Sequence, residues 1–150
     1  MRPIRYVIGL HKSRIEKKGM NIRLNSDSGF EIYARYGAII QIVSNLIENS
    51  EYWLETHDTD NKSIVIEVDD EFRNVIIADT GPGISDIIRP HLFKPGHSMK
   101  LPKSGLGLHI SRHYLHEISG DLQLISNPKF KIPDCNGAQF ILDFSRVRKE

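Results

Sequence analysis

The chain has 150 residues, 39% of them hydrophobic and 26% charged, with a formal net charge of +1 at pH 7. This length fits one domain with one hydrophobic core, and the balance of 20 basic against 19 acidic residues argues against nucleic acid as the main partner. No apolar run approaches the ~20 residues of a membrane-spanning helix, and no signal-peptide pattern opens the chain. The single cysteine excludes an internal disulfide and favours a reducing compartment. We therefore expect a cytoplasmic domain without membrane contact.

The first 36 residues carry the weakest pattern. Residues 1–20 predict a strand or helix followed by a helical turn, and the basic run at 11–18 is interpreted as a solvated helix face rather than a binding patch. Residues 21–24 and 30–36 alternate apolar and polar side chains around a segment rich in Asn, Ser and Gly. This pattern predicts a β-hairpin.

Residues 39–55 predict a long amphipathic helix, because apolar side chains recur at three- and four-residue steps. Asn45 and Asn49 stand one turn apart on one face, with Gln41 a turn before them and Tyr52 a turn after them. Each Asn costs about half a kcal/mol in a helix relative to Ala. The pair indicates either a solvated face or a functional one.

The composition of the chain changes at residue 80, from predicted strands to a segment rich in Gly and Pro. Residues 63–69 and 74–79 predict two strands joined by a short acidic turn. Residues 80–104 are rich in Gly and Pro, with one short helix predicted near 86–89. A loop of this length within a small domain is usually functional or disordered.

Regular structure returns in the last third of the chain. A helix is predicted from 104 to about 118, and alternating residues at 121–126 and 138–144 predict a final strand pair. The count is six strands and two substantial helices. Strands in adjacent pairs predict a mostly antiparallel sheet covered on one face by helices, which is a two-layer α+β sandwich.

Asp79 ends an almost wholly apolar strand and is followed by Gly81 and Gly83. A carboxylate at a buried strand end needs hydrogen-bond donors to offset its desolvation. The exocyclic amine of a purine is one such donor, and the glycines allow a ring to approach the backbone closely. The alternative is an ordinary turn after a strand.

A second glycine pair, Gly105 and Gly107, stands at the start of the last helix. Unpaired N–H groups and the helix dipole make such a start suitable for phosphates. Lys100 and Lys103 lie just upstream and add charge of the right sign. The segment matches neither a phosphate loop nor a dinucleotide-binding fingerprint.

Four motifs in this order resemble the boxes of the GHKL superfamily, whose ATP-binding domains have the Bergerat fold. They are Asn-Leu-Ile-Glu-Asn at 45–49, Asp-Thr-Gly-Pro-Gly at 79–83, Leu-Phe-Lys-Pro at 92–95 and Gly-Leu-Gly-Leu at 105–108. Within the superfamily the chain resembles the catalytic ATP-binding domain of sensor histidine kinases, over about residues 20–145. The resemblance implies that residues 20–150 are this domain. It implies that residues 1–19 are a remnant or linker from an upstream dimerisation and phosphoacceptor region.

The resemblance also implies a site for ATP and Mg²⁺. Asn49 would coordinate the metal ion, Asn45 would lie near the phosphates, and Lys100 would add charge for catalysis. The residues implied in ATP binding are Asn45, Asn49, Tyr52, Asp79, Gly81, Gly83, Ile84, Lys100, Lys103, Ser104, Gly105, Leu106, Gly107 and Leu108.

The function implied is transfer of the γ-phosphoryl group of ATP to a histidine on a separate dimerisation domain, and from there indirectly to a response regulator. The isolated domain is expected to be monomeric and to be the cytoplasmic part of a larger sensor. ATPases of the superfamily resemble one another in having Glu at the place of Asn45, as a general base for water. Because Asn cannot accept that proton, it favours transfer over hydrolysis. An ATP-responsive module without transfer and an ATPase remain the alternatives.

Several residues depart from the kinase pattern. Ser50-Glu51-Tyr52 lacks the Lys or Arg that many kinases carry there, and Lys103 replaces the first glycine of the last motif. Lys94 replaces a common Glu, and Ala138 replaces a common Thr of the last strand. These departures bear on catalytic competence more than on ATP binding.

Three histidines share helical spacing on the last helix. They are His109, His113 and His116. A metal cluster and an ordinary helix surface both explain this spacing, and the surface is favoured.

Overall fold

The computed structural model describes residues 2–26, 28–95 and 107–149, and these ranges contain three helices and five strands. In chain order the elements are α1 (Arg2–Lys17), β1 (Asn21–Leu24), α2 (Tyr36–Thr56), β2 (Ser63–Asp69), β3 (Asn74–Asp79), α3 (Gly107–Glu117), β4 (Asp121–Leu124) and β5 (Gln139–Asp143). Single 3₁₀ turns at Arg89–His91 and Pro128–Phe130 lie in the connections. The predicted strands 63–69 and 74–79 and the C-terminal end of α2 are confirmed.

The strands form one sheet in the order β1-β2-β3-β5-β4. β1 pairs with β2 in parallel, and the other three pairs are antiparallel. The predicted mixed, mostly antiparallel sheet is confirmed, with five strands instead of six across the described ranges. All six residues of β3 are buried, because this strand lies in the middle of the sheet. Asp79, its last residue, is therefore carried into the interior.

The helices cover one face of the sheet, as expected for a two-layer α+β sandwich. Alternate strand residues such as Ile64, Ile66 and Ile77 share one core with the apolar stripe of α2. Leu46 and Leu54 of that stripe are fully buried, and burial of each such side chain contributes roughly 1.5–3 kcal/mol. A second, smaller cluster on the opposite face comprises Val65, Ile76, Ala78, Ile132 and Cys135. None of the helices within the described ranges is both long and apolar enough to cross a membrane.

The predicted hairpin over 21–24 and 30–36 is wrong. β1 pairs in parallel with β2, which lies on the far side of α2 in the sequence, and residues 28–35 form no strand. Ile32 and Ala34 pack against the core while Tyr33 between them is exposed. The alternating pattern thus reflects one-sided burial of an extended segment rather than strand pairing.

Residues 2–17 form one helix, which decides between the strand and the helix that the sequence pattern allowed. Ile4, Val7 and Ile15 of α1 lie in the same core as α2 and the sheet. That this region derives from an upstream domain stays a prediction.

The solvated-face interpretation of residues 11–18 is wrong in part. His11 is buried, and its Nε2 lies 3.0 Å from Ser44 Oγ on α2. Arg14 and Lys18 donate to Glu51 on α2, at 2.7 Å and 2.9 Å for the shortest contact of each. Burial acts to raise the pKa of Glu51, but the hydrogen bonds from these two basic side chains bring it below its ordinary value.

Three boundaries in the second half of the chain differ slightly from prediction. The short helix falls at Arg89–His91 rather than near 86–89. β4 ends at Leu124 and β5 spans Gln139–Asp143, so both strands are shorter than expected. α3 is described from Gly107 onward, and the predicted start at 104 lies outside the described residues.

Candidate functional site

Asp79 is the most constrained polar residue of the candidate site. Its side chain is 1% exposed. Its Oδ1 accepts hydrogen bonds from the backbone N–H groups of Gly81 at 2.9 Å and Ala138 at 3.2 Å. Its Oδ2 has no hydrogen-bond partner within residues 2–26, 28–95 and 107–149. Burial raises the pKa of this carboxyl above its ordinary value, against the opposing effects of the Gly81 N–H, the Ser50 side chain and the Ala138 N–H. One oxygen thus fixes the side chain, and the other remains available to a donor from a ligand.

Gly137 is essential to this arrangement but is absent from the residues predicted from sequence. A Cβ at this position would lie 2.0 Å from Asp79 Oδ1 and 2.6 Å from the backbone N of Gly81. The N–H of Gly137 also donates to the backbone oxygen of Asp79 at 2.9 Å. The signal that could have found it is the Asn136-Gly137 dipeptide in front of the last strand, which marks a turn.

The turn after Asp79 forms the adjoining wall. Gly83 has a φ of +78°, a conformation that residues with a Cβ rarely adopt. A Cβ on Gly81 would lie 2.9 Å from Asp79 Oδ1. Ile84 is half-buried and packs against the main core. The two predicted glycines are therefore required by close approach at Gly81 and by backbone conformation at Gly83.

The polar face of α2 meets the beginning of α3. Asn45 Oδ1 accepts a hydrogen bond from Gln41 at 3.0 Å, and Asn45 Nδ2 donates to Ser111 of α3 at 3.4 Å. A Cβ on Gly107 would lie 3.8 Å from the Asn45 amide. Asn49 lies one turn further along α2, and its amide forms no hydrogen bond within the described part of the chain. Asn45, Asn49 and the first turn of α3 therefore lie on one side of the site.

Tyr52 and Ser50 complete the α2 side. The ring of Tyr52 is half-buried and makes an edge contact with Trp53, with centroids 5.2 Å apart. Ser50 is 1% exposed, and its Oγ has no hydrogen-bond partner that meets distance and angle criteria in the described part of the chain. It lies close enough to Asp79 to act on the pKa of that carboxyl. Ser50 was noted from sequence only as a departure, because its position on a helix does not reveal what its hydroxyl faces.

The Leu-Phe-Lys-Pro segment is anchored by its two apolar residues. Leu92 and Phe93 pack against the main core. The Phe93 ring lies edge-on to Phe140 at 6.4 Å between centroids, and the Arg112 guanidinium lies 4.5 Å from its centre. Leu108 of α3 joins the same core. This packing ties the start of α3 to the sheet.

Five predicted site residues fall outside the described residues. They are Lys100, Lys103, Ser104, Gly105 and Leu106.

The histidines of α3 have ordinary local contacts. His116 Nε2 lies 2.6 Å from Asp121 Oδ1, and His113 Nε2 lies 3.4 Å from Glu117 Oε1. The rings of His109 and His113 stack at 6.4 Å. Across the described ranges no group of three or more His, Cys, Asp or Glu side chains could hold a metal ion. These contacts agree with the surface interpretation.

Comparison with known proteins adds evidence of a different kind. The sequence profile of the family described as histidine kinase-, DNA gyrase B-, and HSP90-like ATPase matches residues 35–147. The C4-dicarboxylate transport sensor protein DctB of Rhizobium meliloti (strain 1021) is 28% identical over 123 residues, which cover 79% of this chain and 19% of DctB. A probable C4-dicarboxylate sensor kinase of Bacillus subtilis (strain 168) is 26% identical over 128 residues, covering 79% of this chain and 24% of that protein. The chain thus corresponds to a small part of these curated relatives.

Two solved structures of histidine kinases have the same fold as this chain. The nucleotide-free catalytic domain of the histidine kinase ThkA has a TM-score of 0.78 and 24% identity, covering 99% of this chain and 91% of that one. Full-length ShkA in complex with AMPPNP has a TM-score of 0.75 and 23% identity, covering 99% of this chain and 30% of that one. The profile match spans most of the chain, including α2, the Asp79 turn and α3. The chain therefore belongs to the family of histidine kinase-, DNA gyrase B- and HSP90-like ATPases.

Proposed function

We propose that this domain binds ATP with Mg²⁺ and transfers the γ-phosphoryl group to a histidine on a separate dimerisation domain. It would be the catalytic module of a sensor kinase and would supply phosphoryl groups indirectly to a response regulator. The curated relatives named sensor protein and sensor kinase support this proposal, as does ShkA, which was solved with an ATP analogue. We place the module on the cytoplasmic side of a larger sensor.

The observation that carries the proposal is Asp79 Oδ2, a buried carboxylate oxygen without a hydrogen-bond partner among the described residues. A buried carboxylate oxygen without a donor costs free energy, and the protein maintains it because Oδ1 is held by two backbone N–H groups. The exocyclic amine of adenine is a donor of the right kind. A Cβ on Gly81 or Gly137 would clash with Asp79 Oδ1, so these two glycines allow the carboxylate to keep this orientation.

The donor chemistry of α2 fits Mg²⁺ held together with phosphates. Asn49 presents an amide oxygen, which is a hard ligand, and the amide has no hydrogen-bond partner within the described residues. Mg²⁺ usually binds through one or two protein oxygens plus phosphate oxygens and water rather than in a protein cage. Asn49 would hold the ion, which when bound neutralises phosphate charge during transfer.

Asn45 supports transfer over hydrolysis. Its amide is already oriented by Gln41 and Ser111, and it has no carboxylate with which to take a proton from water. Catalysis would rest on positioning and on charge neutralisation, as in other phosphoryl transfers. Lys100, Lys103 and the glycines at 105 and 107 remain proposed phosphate-binding residues.

The test is a transfer assay with ATP labelled at the γ-phosphate and a separately purified dimerisation domain that carries an acceptor histidine. We expect acid-labile, base-stable label on that histidine, and none on an acceptor in which it is replaced by Ala. Release of free phosphate by this domain without any acceptor would contradict the proposal and indicate an ATPase. Tight ATP binding without label on any acceptor would indicate a non-transferring module.

A further inference from the structure

Two arginines on the outer face of the protein are stacked on tyrosine rings. The guanidinium carbon of Arg148 lies 5.3 Å from the centre of the Tyr33 ring, and that of Arg35 lies 5.3 Å from the centre of the Tyr114 ring. Tyr33 is 63% exposed, and both arginines are exposed. Tyr33 and Arg35 project to the same side of an extended segment, because Ala34 between them packs against the core. We call these four residues, Tyr33, Arg35, Tyr114 and Arg148, the arginine–tyrosine surface.

This surface is held in place from behind. The Arg73 guanidinium donates to the backbone oxygen of Val147 at 2.9 Å and to that of Glu31 at 3.3 Å, so it ties the C-terminal segment to the segment that carries Tyr33. The N–H of Tyr33 donates to the backbone oxygen of Arg148 at 2.7 Å. Val147 itself is buried. A surface built in this way has little conformational entropy to lose when a partner binds.

The two guanidinium charges are not neutralised by neighbouring carboxylates. Neither Arg35 nor Arg148 forms an ion pair across the described ranges. A guanidinium stacked over an aromatic ring keeps N–H groups at its edge, where they can bind a carboxylate through two parallel hydrogen bonds. Residues 145–149 add Arg146 and Lys149 and contain no acidic side chain. This part of the protein is therefore positive, although the formal net charge of the whole chain is only +1.

We propose that the arginine–tyrosine surface is a docking site for an acidic segment of a partner protein. Side chains two residues apart in an extended chain are separated by roughly 6–7 Å. Arg35, and the Arg148 that rests on Tyr33, can therefore meet two carboxylates with a similar spacing. The tyrosine rings supply apolar area beside the charges, as is common in protein interfaces. Nucleic-acid binding relies on larger basic patches that neutralise several phosphates, so a protein partner fits better.

The docking site touches both helices of the candidate nucleotide site. Arg35 directly precedes α2, which carries Asn45 and Asn49, and its backbone N–H donates to the Tyr114 hydroxyl at 3.1 Å. Tyr114 belongs to α3. A partner bound here would rest on the two helices that position the candidate site without occupying that site. Docking does not depend on phosphoryl transfer, and it goes beyond the proposed function.

The test titrates the whole chain, at low ionic strength, with short synthetic peptides of alternating Glu and Ala or of alternating Gln and Ala. We expect the Glu peptide to bind and to shift the amide NMR signals of Tyr33, Arg35 and Arg148, and the Gln peptide not to bind. The double variant Arg35→Gln, Arg148→Gln should bind the Glu peptide about 2- to 30-fold more weakly, since two exposed ion pairs are lost. No binding by the wild type up to about 1 mM of the Glu peptide, or equal affinities of wild type and double variant, would overturn the proposal.

A matched control removes the same charge elsewhere. Arg5→Gln combined with Lys17→Gln takes two positive charges from the exposed side of α1 and should retain the wild-type affinity for the Glu peptide. An equal loss in the two double variants would indicate attraction by net charge alone and would contradict a defined docking site. Both double variants should keep the wild-type melting temperature, because all four side chains are exposed.

Two other results would assign the surface to a different partner and so overturn the proposal. One is tighter binding of single-stranded oligothymidine than of the Glu peptide, lost in Arg35→Gln, Arg148→Gln. The other is self-association of the wild type, lost in the same variant, which would indicate a second copy of this chain. Titration with ATP separates docking from the proposed function, since this variant should bind ATP as the wild type does. A wild type that binds the Glu peptide but not ATP would contradict the proposed function alone.

Discussion

The exchange Asp79→Asn should almost abolish ATP binding while leaving the protein folded. Asn can still accept from Gly81 and Ala138 through its oxygen, but its amide nitrogen then replaces Oδ2 and faces the adenine amine, donor against donor. The lost bond to a charged acceptor is worth about 1.5–3 kcal/mol, and the opposed donors cost about 1–3 kcal/mol more. A total of about 2.5–6 kcal/mol corresponds to roughly a 60- to 20,000-fold weaker affinity. If the Asn side chain is rotated by 180° so that its oxygen meets the adenine amine, its NH2 group faces the backbone N–H groups of Gly81 and Ala138, and two donors are again opposed.

The same exchange should not destabilise the protein at neutral pH. Burial raises the pKa of Asp79 above its ordinary 3.8, so the folded state binds its proton more tightly than the unfolded chain. The stability that this group contributes is fully present below pH 3.8 and is lost as pH rises through the raised pKa. Asp79→Asn removes this loss, because the amide carries no charge to bury. The variant should therefore gain stability relative to the wild type as the pH rises from 4 to 8.

Calorimetric titration with ATP measures the change in affinity. Denaturant unfolding across this pH range measures the change in stability, with the single Trp53 as its fluorescence signal. Asp143→Asn is a matched control, since Asp143 accepts a backbone N–H from Ser145 at 2.8 Å on another strand. The control should bind ATP normally. An Asp79→Asn variant that binds ATP within about threefold of the wild type, or that is less stable than the control at pH 7, would refute the reasoning.

Three further variants and one control variant test other parts of the account. Gly137→Ala places a Cβ 2.0 Å from Asp79 Oδ1 and should cost about 1–3 kcal/mol or more in unfolding free energy. Gly9→Ala on the exposed face of α1, with nothing within 4 Å, should instead gain about 0.5–1 kcal/mol; equal effects would contradict the packing described. Asn49→Ala should leave the fold intact and remove the Mg²⁺ dependence of ATP affinity, measured by titration with and without the ion; a retained dependence would move the metal site elsewhere. Glu51→Gln should cost about 1–2 kcal/mol at pH 7, since both basic partners are partly exposed. Because the pKa of this carboxyl is lowered in the fold, the difference should shrink as pH falls below about 4.5, and a difference independent of pH would refute it.

Sequence periodicity predicted the elements whose patterns are local. β2 and β3 were found at their observed bounds because their apolar runs end at clear turns. The predicted strand at 30–36 was wrong because an extended chain packed on one side alternates as a strand does. β1 and β2 pair in parallel although the whole of α2 separates them in the sequence, and no local sequence pattern indicates this pairing.

The residues of the candidate site likewise include some that the local sequence pattern predicts and some that it does not. Asp79 could be predicted because a charged residue at the end of an apolar strand is conspicuous in sequence. Gly137 could not, since its requirement arises from contact with a residue far away in the chain. Ser50 resembles any small helix residue until the end of β3 is placed beside it. Both omissions are residues whose importance depends on tertiary contact rather than on local pattern.

The most direct test of the central claim is a structure of this chain bound to AMPPNP and Mg²⁺. The account predicts the adenine amine within hydrogen-bond distance of Asp79 Oδ2, with the metal ion and the phosphates between Asn49 and the start of α3. A nucleotide bound elsewhere on the domain, or bound here with its amine turned away from Asp79, would contradict it.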